Sequence, residues 1–497
     1  MILKKLLEGI YDDSIPIEVG MLDIKSIATD SRKADKGSIF IAVPGTKEHG
    51  GRYIKDAIVR GARVIIKDHA TEFSTANLRI MVLSVDDTRT LLIPLLTQLY
   101  GHELKKIRTI GITGTNGKTT ISYLVESIFH SVRKPIGVIG TVNYRYAQKI
   151  LPANNTTPGI ADMYALLAAM VQDNVLHCVL EVSSHALAQG RVAGINFHTA
   201  VFTNLTSDHL DYHKSQEEYF QAKTVLFRNL NEEAMAVLNH DDPSTGRLKG
   251  MTRAIVKTYG IKNKSDFMAK DIRLKIDGTE FRLVTPEGDV DVESKLIGEH
   301  NIYNILAAAA VCADEHMELS EIAEGISRLL FVPGRLEHIQ YGQDYHLFVD
   351  YAHTEDALYH VLTSLRRICT ARIILVFGCG GDRDKTKRPK MGRVASQLAD
   401  LVIITNDNPR SEDPQTIAQE IAAGFEKDNY TIMLDRKEAI FEVLEVADKG
   451  DVVLIAGKGH EDYQIFKDQT VPFNEREILR DYLRKKHSLS PDLDQRR

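Results

Sequence analysis

The sequence predicts an α/β protein built as three successive domains, and three observations lead there. A strand-like run, Arg108-Thr-Ile-Gly-Ile-Thr, opens into the turn Gly114-Thr-Asn-Gly-Lys-Thr-Thr at what reads as a helix start, the layout of a phosphate-binding loop. Short β-branched runs alternate with amphipathic stretches, which is the βαβ rhythm of parallel sheets wrapped by helices. The 497 residues exceed what one hydrophobic core organises, and about 150 residues per domain gives three.

The first domain is expected over residues 1–104. Its strands are the runs beginning at Ser26, Ser38, Arg63 and Ile80, with a helical stretch from Ile54 to Gly61, so it reads as a small α/β unit. The second is expected over 105–333. Strands at Thr109, Cys178 and Ala200 alternate with helices in a doubly wound parallel sheet of the P-loop ATPase type, and the phosphate loop belongs at a strand's carboxyl end. Between 253 and 297 the segments shorten and alternate around Asp277-Gly and Glu287-Gly, which predicts an antiparallel edge appended to that sheet, followed by an Ala-rich helix around Leu306 to Cys312. Val332-Pro-Gly-Arg335 marks a boundary, and a fresh Rossmann-like series occupies 334–497 with strands at Leu347, Ile373, Leu401 and Val452.

Composition excludes several function classes. Hydrophobic content of 43% and charged content of 26% are those of a globular protein, and no run of 18 apolar residues is present to cross a bilayer. Acids at Glu8, Asp12 and Asp13 interrupt what would have to be the apolar core of a signal peptide, so export is not expected. Four scattered cysteines without CxxC spacing, three of them in apolar or Ala-rich surroundings, fit buried thiols in a reducing cytoplasm. A net charge of −6 gives no basic footprint for nucleic acid. A monomer without membrane partners is expected.

The chemistry begins at the glycine-rich turn. Gly114 and Gly117 let backbone N–H groups approach phosphate oxygens, Lys118 supplies a cation for the β/γ-phosphates, and the Thr119 hydroxyl suits Mg²⁺. The Walker spacing is not kept, since position 112 is Ile and the upstream glycines are Gly111 and Gly114. Glu181 ends the apolar strand of Leu-Glu-Val-Ser-Ser-His, where a doubly wound sheet presents ligands, and its carboxylate completes a Mg²⁺ shell with Thr119 or else is a solvated or capping group. Asp208, His209, Asp211 and His213 crowd into six residues after another strand; His209 is a candidate ligand for a second ion and His213 a weaker one.

Taken in order, Gly114-Thr-Asn-Gly-Lys-Thr-Thr, Glu181-Val-Ser-Ser-His, Ser207-Asp-His-Leu-Asp-Tyr-His, His300-Asn-Ile-Tyr-Asn, Pro333-Gly-Arg-Leu-Glu and Asp350-Tyr-Ala-His-Thr resemble the Mur ligases of peptidoglycan synthesis across essentially the whole chain. Thr156-Thr-Pro-Gly, Gly380-Gly-Asp-Arg-Asp, Asp407-Asn-Pro-Arg and Gly457-Lys-Gly-His-Glu resemble the branch that adds the third residue of the stem peptide. The resemblance implies a first domain for the uridine nucleotide, a second for ATP and a third for the incoming amino acid. Gly114, Thr115, Asn116, Gly117, Lys118, Thr119 and Thr120 would hold the ATP phosphates, with Asn301 and Asn304 on the adenine side and Arg335 and Asp350 near phosphate and ribose. Thr29, Ser31, Thr46, Lys47 and Glu48 would contact the uridine diphosphate, and Asn155, Thr156, Thr157, Ser183, Gln189 and Arg191 the muramoyl-peptide, where Arg191 offers a fork to a carboxylate or phosphate. Lys223 would be carbamylated by CO₂, exchanging an ammonium for oxygens that ligate Mg²⁺ alongside Thr119, Glu181 and His209; spacing alone reads it as a solvated lysine.

The implied reaction joins a carboxylate to an amine at the expense of ATP. The γ-carboxylate of UDP-MurNAc-L-Ala-D-Glu takes the γ-phosphoryl group to give an acyl phosphate, and the amine of the third residue displaces phosphate, with Lys118 and Mg²⁺ neutralising the transferred charge. The third residue is meso-diaminopimelate or L-lysine, which differ by one carboxylate. Arg410 of Asp407-Asn408-Pro409-Arg410 offers it a bidentate fork, Arg388 is a second carboxylate binder, Glu461 and Asp407 suit ammonium groups, and Gly457 lies in the matching motif. The competing reading has Asn408-Pro merely shaping a turn, with Arg410 paired to Glu412 or Asp413. A lysine-adding ligase, a folylpolyglutamate synthase-like ligase and a non-catalytic nucleotide binder are the alternatives for function.

Overall fold

The computed structural model describes residues 1–11, 17–45, 48–73, 80–206, 208 and 212–486. By its internal contacts the chain forms two compact units, Met1–Ile110 with Pro135–His198, and Gly111–Lys134 with Thr199–Arg497.

The first unit contains a four-stranded parallel sheet in sequence order, Ser26–Ala28, Ser38–Ile41, Val64–Asp68 and Met81–Val85. Alternation sorts its side chains by period two: Ile39, Ile41 and Ile66 face Leu3, Leu92 and Leu95, while Phe40 and Ile65 face Ile54 and Ala57. The same unit also pairs Gly137–Ile139 in parallel with His177–Glu181 and antiparallel with Asn143–Tyr146, which turns into Lys149–Pro152. That hairpin turns on Ala147 (φ 44°) and Gln148 (φ 66°), both left-handed, the geometry of a type I′ turn without its usual Asn-Gly, so no sequence signal announces it.

In the second unit, strands Phe197–Phe202, Met235–Asn239, Ile255–Gly260 and Phe267–Lys275 run parallel. Gly278–Thr285 and Gly288–Ser294 then add the antiparallel edge around the two predicted glycine turns. The edge is shorter than the 253–297 expected, because Ile255–Gly260 pairs in parallel on both sides. The Ala-rich helix spans Glu299–Asp314 and is buried on all sides from Asn304 to Cys312.

A further sheet has six strands in the order Glu337–Ile339, His346–Asp350, Val452–Ala456, Ile373–Phe377, Leu401–Ile404 and Tyr430–Ile432, all parallel except the first. Both of its faces are covered, one by helices Glu355–Ile368, Lys387–Leu398 and Pro414–Ala422 and the other by Arg436–Val446 and Glu475–Lys486, which is why its strands read as unbroken apolar runs. Loops 351–354, 378–386, 405–413 and 457–462 all leave carboxyl ends of these strands and gather at the switch point of the strand order.

Candidate functional site

At the phosphate loop Gly114 (φ 145°) and Gly117 (φ 92°) adopt conformations that L-residues avoid, and a Cβ on either would strike Thr203 Oγ1 or Asn304 Oδ1. The loop is stitched to the segment after strand Phe197–Phe202: Thr203 Oγ1 donates to Asn116 O (2.6 Å), Asn116 N to Asn204 Oδ1 (2.9 Å), and Thr206 N to Thr115 Oγ1 (3.0 Å). Thr119 and Thr120 are buried in the first turn of helix Lys118–Ser131, whose N–H groups and dipole favour an anion there. Lys118 Nζ arches back to Gly114 O (2.9 Å) and Thr115 O (2.8 Å).

Lys223, on helix Gln216–Arg228, reaches the same Gly114 carbonyl at 2.9 Å and lies 4.2 Å over the Tyr219 ring, with only 1% of its surface exposed. Burial first, and the Lys118 charge second, push its pKa far below that of an ordinary lysine. Carbamylation by CO₂ uses the unprotonated amine, the form that this shift favours.

Arg335 donates to Thr119 Oγ1 (3.3 Å) and lies 4.6 Å over the Tyr351 ring. Asp350 is buried with Oδ2 receiving Leu336 N (2.5 Å) and Oδ1 receiving Ala352 N (2.7 Å), so it shapes the turn that carries Arg335; burial raises its pKa against the pull of Arg335. Asn301 and Asn304 are buried beneath the loop, Asn304 Nδ2 donating to Asn301 Oδ1 at 3.0 Å. Sequence reading missed Asp356, whose Oδ2 receives Asn116 Nδ2 (2.9 Å) and Thr206 Oγ1 (3.1 Å) from the turn just past Asp350-Tyr-Ala-His-Thr.

In the C-terminal loops Arg410 sits at φ 52° and donates from Nη1 to Gly381 O (2.8 Å), while Gly381 N donates to Asn408 O (2.9 Å). The competing partners are otherwise engaged. Glu412 takes two bonds from Arg388 (2.9 and 3.0 Å), one from Asp382 N (2.6 Å) and the ammonium of Lys385, which together hold its pKa down to about 2. Asp413 caps helix Pro414–Ala422 at Thr416 N, and Asp382 takes Ser411. Arg410 therefore pairs with no carboxylate among the described residues. Arg388, expected to face a substrate carboxylate, is fully buried and binds two carboxylates of the protein itself, Glu412 and Glu420. Asp407 is buried, and its Oδ2 finds no hydrogen-bond partner among the described residues. Glu461 receives Asn408 Nδ2 (3.0 Å) and the fully buried Lys458 (3.1 Å), the latter unremarked in the sequence; Gly457 N donates to Asp350 O (3.0 Å) and Glu412 N to Pro409 O (3.1 Å).

In the first unit, Glu181 is buried and receives Thr141 N (2.9 Å) and Thr141 Oγ1 (2.8 Å). Thr141 meets Thr156, Thr157 Oγ1 receives Ser183 N (3.1 Å), and the Arg191 fork closes on Gln189 Oε1 (2.7 and 2.9 Å) with Nη1 on Thr157 O (3.0 Å). Asn155, Tyr144, Asp30, Arg32, Lys33 and Asp162 help line a cavity of about 830 Å³ there. Thr29 is half-buried beside it, Ser31 donates inward to Asp56 (2.6 Å), and Glu48 receives the Tyr53 hydroxyl. A second cavity, about 1020 Å³ between helices Arg436–Val446 and Glu475–Lys486, contains none of the assigned residues.

Thr46, Lys47 and His209 lie outside the described residues. His213 packs between the Tyr212 and Tyr219 rings, a packing role. No cluster of three His, Cys, Asp or Glu able to hold a metal occurs among the described residues. Within the second unit, the Thr119 hydroxyl and the oxygens a carbamate on Lys223 would add are hard oxygens of the kind Mg²⁺ takes together with phosphate and water.

Three family models match in order: "Mur ligase family, catalytic domain" over residues 23–98, "Mur ligase middle domain" over 112–312, and "Mur ligase, glutamate ligase domain" over 334–459. A UDP-N-acetylmuramoyl-L-alanyl-D-glutamate--2,6-diaminopimelate ligase of Geobacillus kaustophilus is 43% identical over 469 residues, covering 93% of this chain and 95% of its own. The chain belongs to the Mur ligase family. A Bacillus licheniformis enzyme of the same name is 42% identical over 97% of this chain and 99% of its own. Among solved Mur ligases, a structure of a UDP-N-acetylmuramoyl-L-alanyl-D-glutamate--2,6-diaminopimelate ligase has a TM-score of 0.68 at 32% identity, covering 98% of this chain and 99% of that one. MurF from Acinetobacter baumannii shares the fold, with a TM-score of 0.69 at 20% identity over 92% of this chain and 95% of that one.

Proposed function

We propose that this Mur ligase is an ATP-dependent, ADP-forming amide ligase that adds meso-diaminopimelate to the D-Glu γ-carboxylate of UDP-MurNAc-L-Ala-D-Glu in peptidoglycan precursor synthesis. One observation carries the choice of amino acid: Glu412, Asp413 and Asp382 each take hydrogen bonds from other groups and Arg410 donates only to backbone carbonyls, which leaves its guanidinium for the distal carboxylate that diaminopimelate has and lysine lacks. Filling that site with lysine leaves Arg410 unpaired, at a cost of about 1–3 kcal/mol.

The chain's own groups support each step. The phosphate-loop N–H groups and Lys118 bind and orient ATP in line with the γ-carboxylate, and Arg335, which already touches Thr119, adds charge at the transferred phosphoryl group. Thr119, Glu181, His209 and a carbamylated Lys223 would hold Mg²⁺, which would supply charge neutralisation. The Arg191–Gln189–Thr157–Ser183 network holds the muramoyl-peptide beside the cavity of the first unit, with Thr29, Ser31, Thr46, Lys47 and Glu48 toward the uridine diphosphate. Arg410, Asn408, Asp407, Gly457 and Glu461 orient the amino acid, and the unpartnered Asp407 Oδ2 suits an ammonium group. Arg388 contributes by holding the loop that presents Arg410. This division makes 1–104, 105–333 and 334–497 the uridine-nucleotide, ATP and amino-acid domains of a cytoplasmic monomer. Phosphate release with UDP-MurNAc-L-Ala-D-Glu, ATP and Mg²⁺ tests the reading: release with diaminopimelate and not L-lysine is expected, and a preference for lysine overturns the role of Arg410.

A further inference from the structure

Asp356 lies in the first turn of helix Glu355–Ile368, behind the cap formed by Thr354 Oγ1 on Ala357 N (3.3 Å). Its Oδ2 receives Asn116 Nδ2 at 2.9 Å and Thr206 Oγ1 at 3.1 Å, and its Oδ1 faces His360 Nε2 at 3.3 Å. The first two donors come from the two walls of the phosphate cradle, the loop itself and the segment after strand Phe197–Phe202, which are already stitched together through Thr203, Asn204 and Thr115. One carboxylate from the amino-acid end of the chain therefore holds both walls of the nucleotide site. An anion placed beside a phosphate loop opposes its ligand, and here each oxygen is turned instead onto a donor of the protein.

The motif that delivers Asp356 also reaches the amino-acid loops. Tyr351, five residues upstream, donates to Glu461 Oε1 at 3.5 Å and stacks under Arg335, which touches Thr119. The 350–356 segment thus reaches the phosphate loop at two points, through Arg335 over the Tyr351 ring onto Thr119 and directly through Asp356 onto Asn116 and Thr206.

We propose that Asp356 is a positioning residue that latches the amino-acid segment onto the phosphate loop, so that the activated carboxyl is formed only beneath a closed amine site. The inference rests on the ligase reading above. Without the latch, water enters more often: its oxygen attacks the acyl carbon, the bond from that carbon to the phosphate oxygen breaks, and carboxylate, inorganic phosphate and a proton leave, so that ATP is consumed without an amide.

The test measures phosphate released per amide formed, together with equilibrium affinity for ATP, in the full-length enzyme. The wild type should stay near one phosphate per amide, whereas Asp356→Ala should reach about five or more and bind ATP about tenfold more weakly. Asp356→Asn keeps an oxygen that accepts both bonds and should remain within about twofold of wild type. Thr206→Val removes one donor and should move both readouts part of the way, which keeps the proposal decidable if the alanine variant does not fold. Unchanged coupling and ATP affinity in Asp356→Ala, or an Asn variant as impaired as the Ala variant, overturns the latch. If the wild type makes no amide with either amino acid, the ligase reading falls, and the ATP affinities of the Ala and Asn variants still decide the role of Asp356.

Discussion

Two cations at the phosphate loop, Lys118 and Lys223, and two at the C-terminal loops, Arg388 and Arg410, are treated in opposite ways. At the nucleotide loop Lys118 and Lys223 converge on one carbonyl, that of Gly114, and Lys223 is sealed from water against the Tyr219 ring. Burial there lowers the pKa of an amine. At the amino-acid loops Arg388 is neutralised by two carboxylates, while Arg410, two residues from one of them, is left with backbone carbonyls. Burial there consumes charge that would otherwise block a ligand. Residues of the same charge thus end in different states according to which partner the fold gives each.

Substitutions sharpen the contrast in descending order of effect. Lys223→Ala should lower turnover by about a hundredfold or more, with partial recovery on adding a short-chain carboxylic acid that occupies the carbamate's place; phosphate release measures both. Unchanged turnover would make Lys223 a packing residue and remove the first half of the comparison. Arg388→Met strands Glu412 and Glu420, and should cost about 2–3 kcal/mol in denaturant unfolding, below the full penalty of a buried charge because Glu420 is 35% exposed. A loss of diaminopimelate use with no loss of stability would return Arg388 to the ligands. Arg410→Ala should lower kcat/KM for diaminopimelate about ten- to a hundredfold while leaving ATP affinity alone, and equal losses in both would end its role as selector.

The smallest effect is a pH dependence. Glu412 is drawn from an ordinary value of 4.5 to about 2, chiefly by Arg388. A carboxylate depressed in the folded state contributes stability that is complete above pH 4.5 and is lost as pH falls toward 2. Glu412→Gln should flatten the stability profile across that acid window, with the loss of stability against wild type largest near neutrality and vanishing toward pH 2. An unaltered profile would show that Glu412 is not held by Arg388.

Much of the site was readable because its chemistry is local. The phosphate loop advertises itself through two glycines, a lysine and a threonine at a strand-to-helix junction, a pattern dictated by backbone geometry that neighbours in sequence supply. The parallel strands of both large sheets announced themselves as apolar runs for the same reason. What escaped lacked a local cause. The hairpin at Ala147-Gln148 turns on residues with no turn signature, and Ile255–Gly260 reads like its antiparallel successors although its partners are parallel. Asp356 and Lys458 sit in stretches where an acid or a lysine is ordinarily solvent-facing.

Periodicity, glycine placement and motif order in the sequence by themselves determined the α/β class, the location of the nucleotide loop and the family, because each depends on residues within one turn or strand of each other. Only the tertiary structure decided which charges are neutralised. Arg388 meets Glu420 across 32 residues, Lys223 meets Gly114 across 109 and Asp356 meets Asn116 across 240. A charged side chain takes its state from whatever the fold brings within about 4 Å, and separation along the chain carries no trace of that.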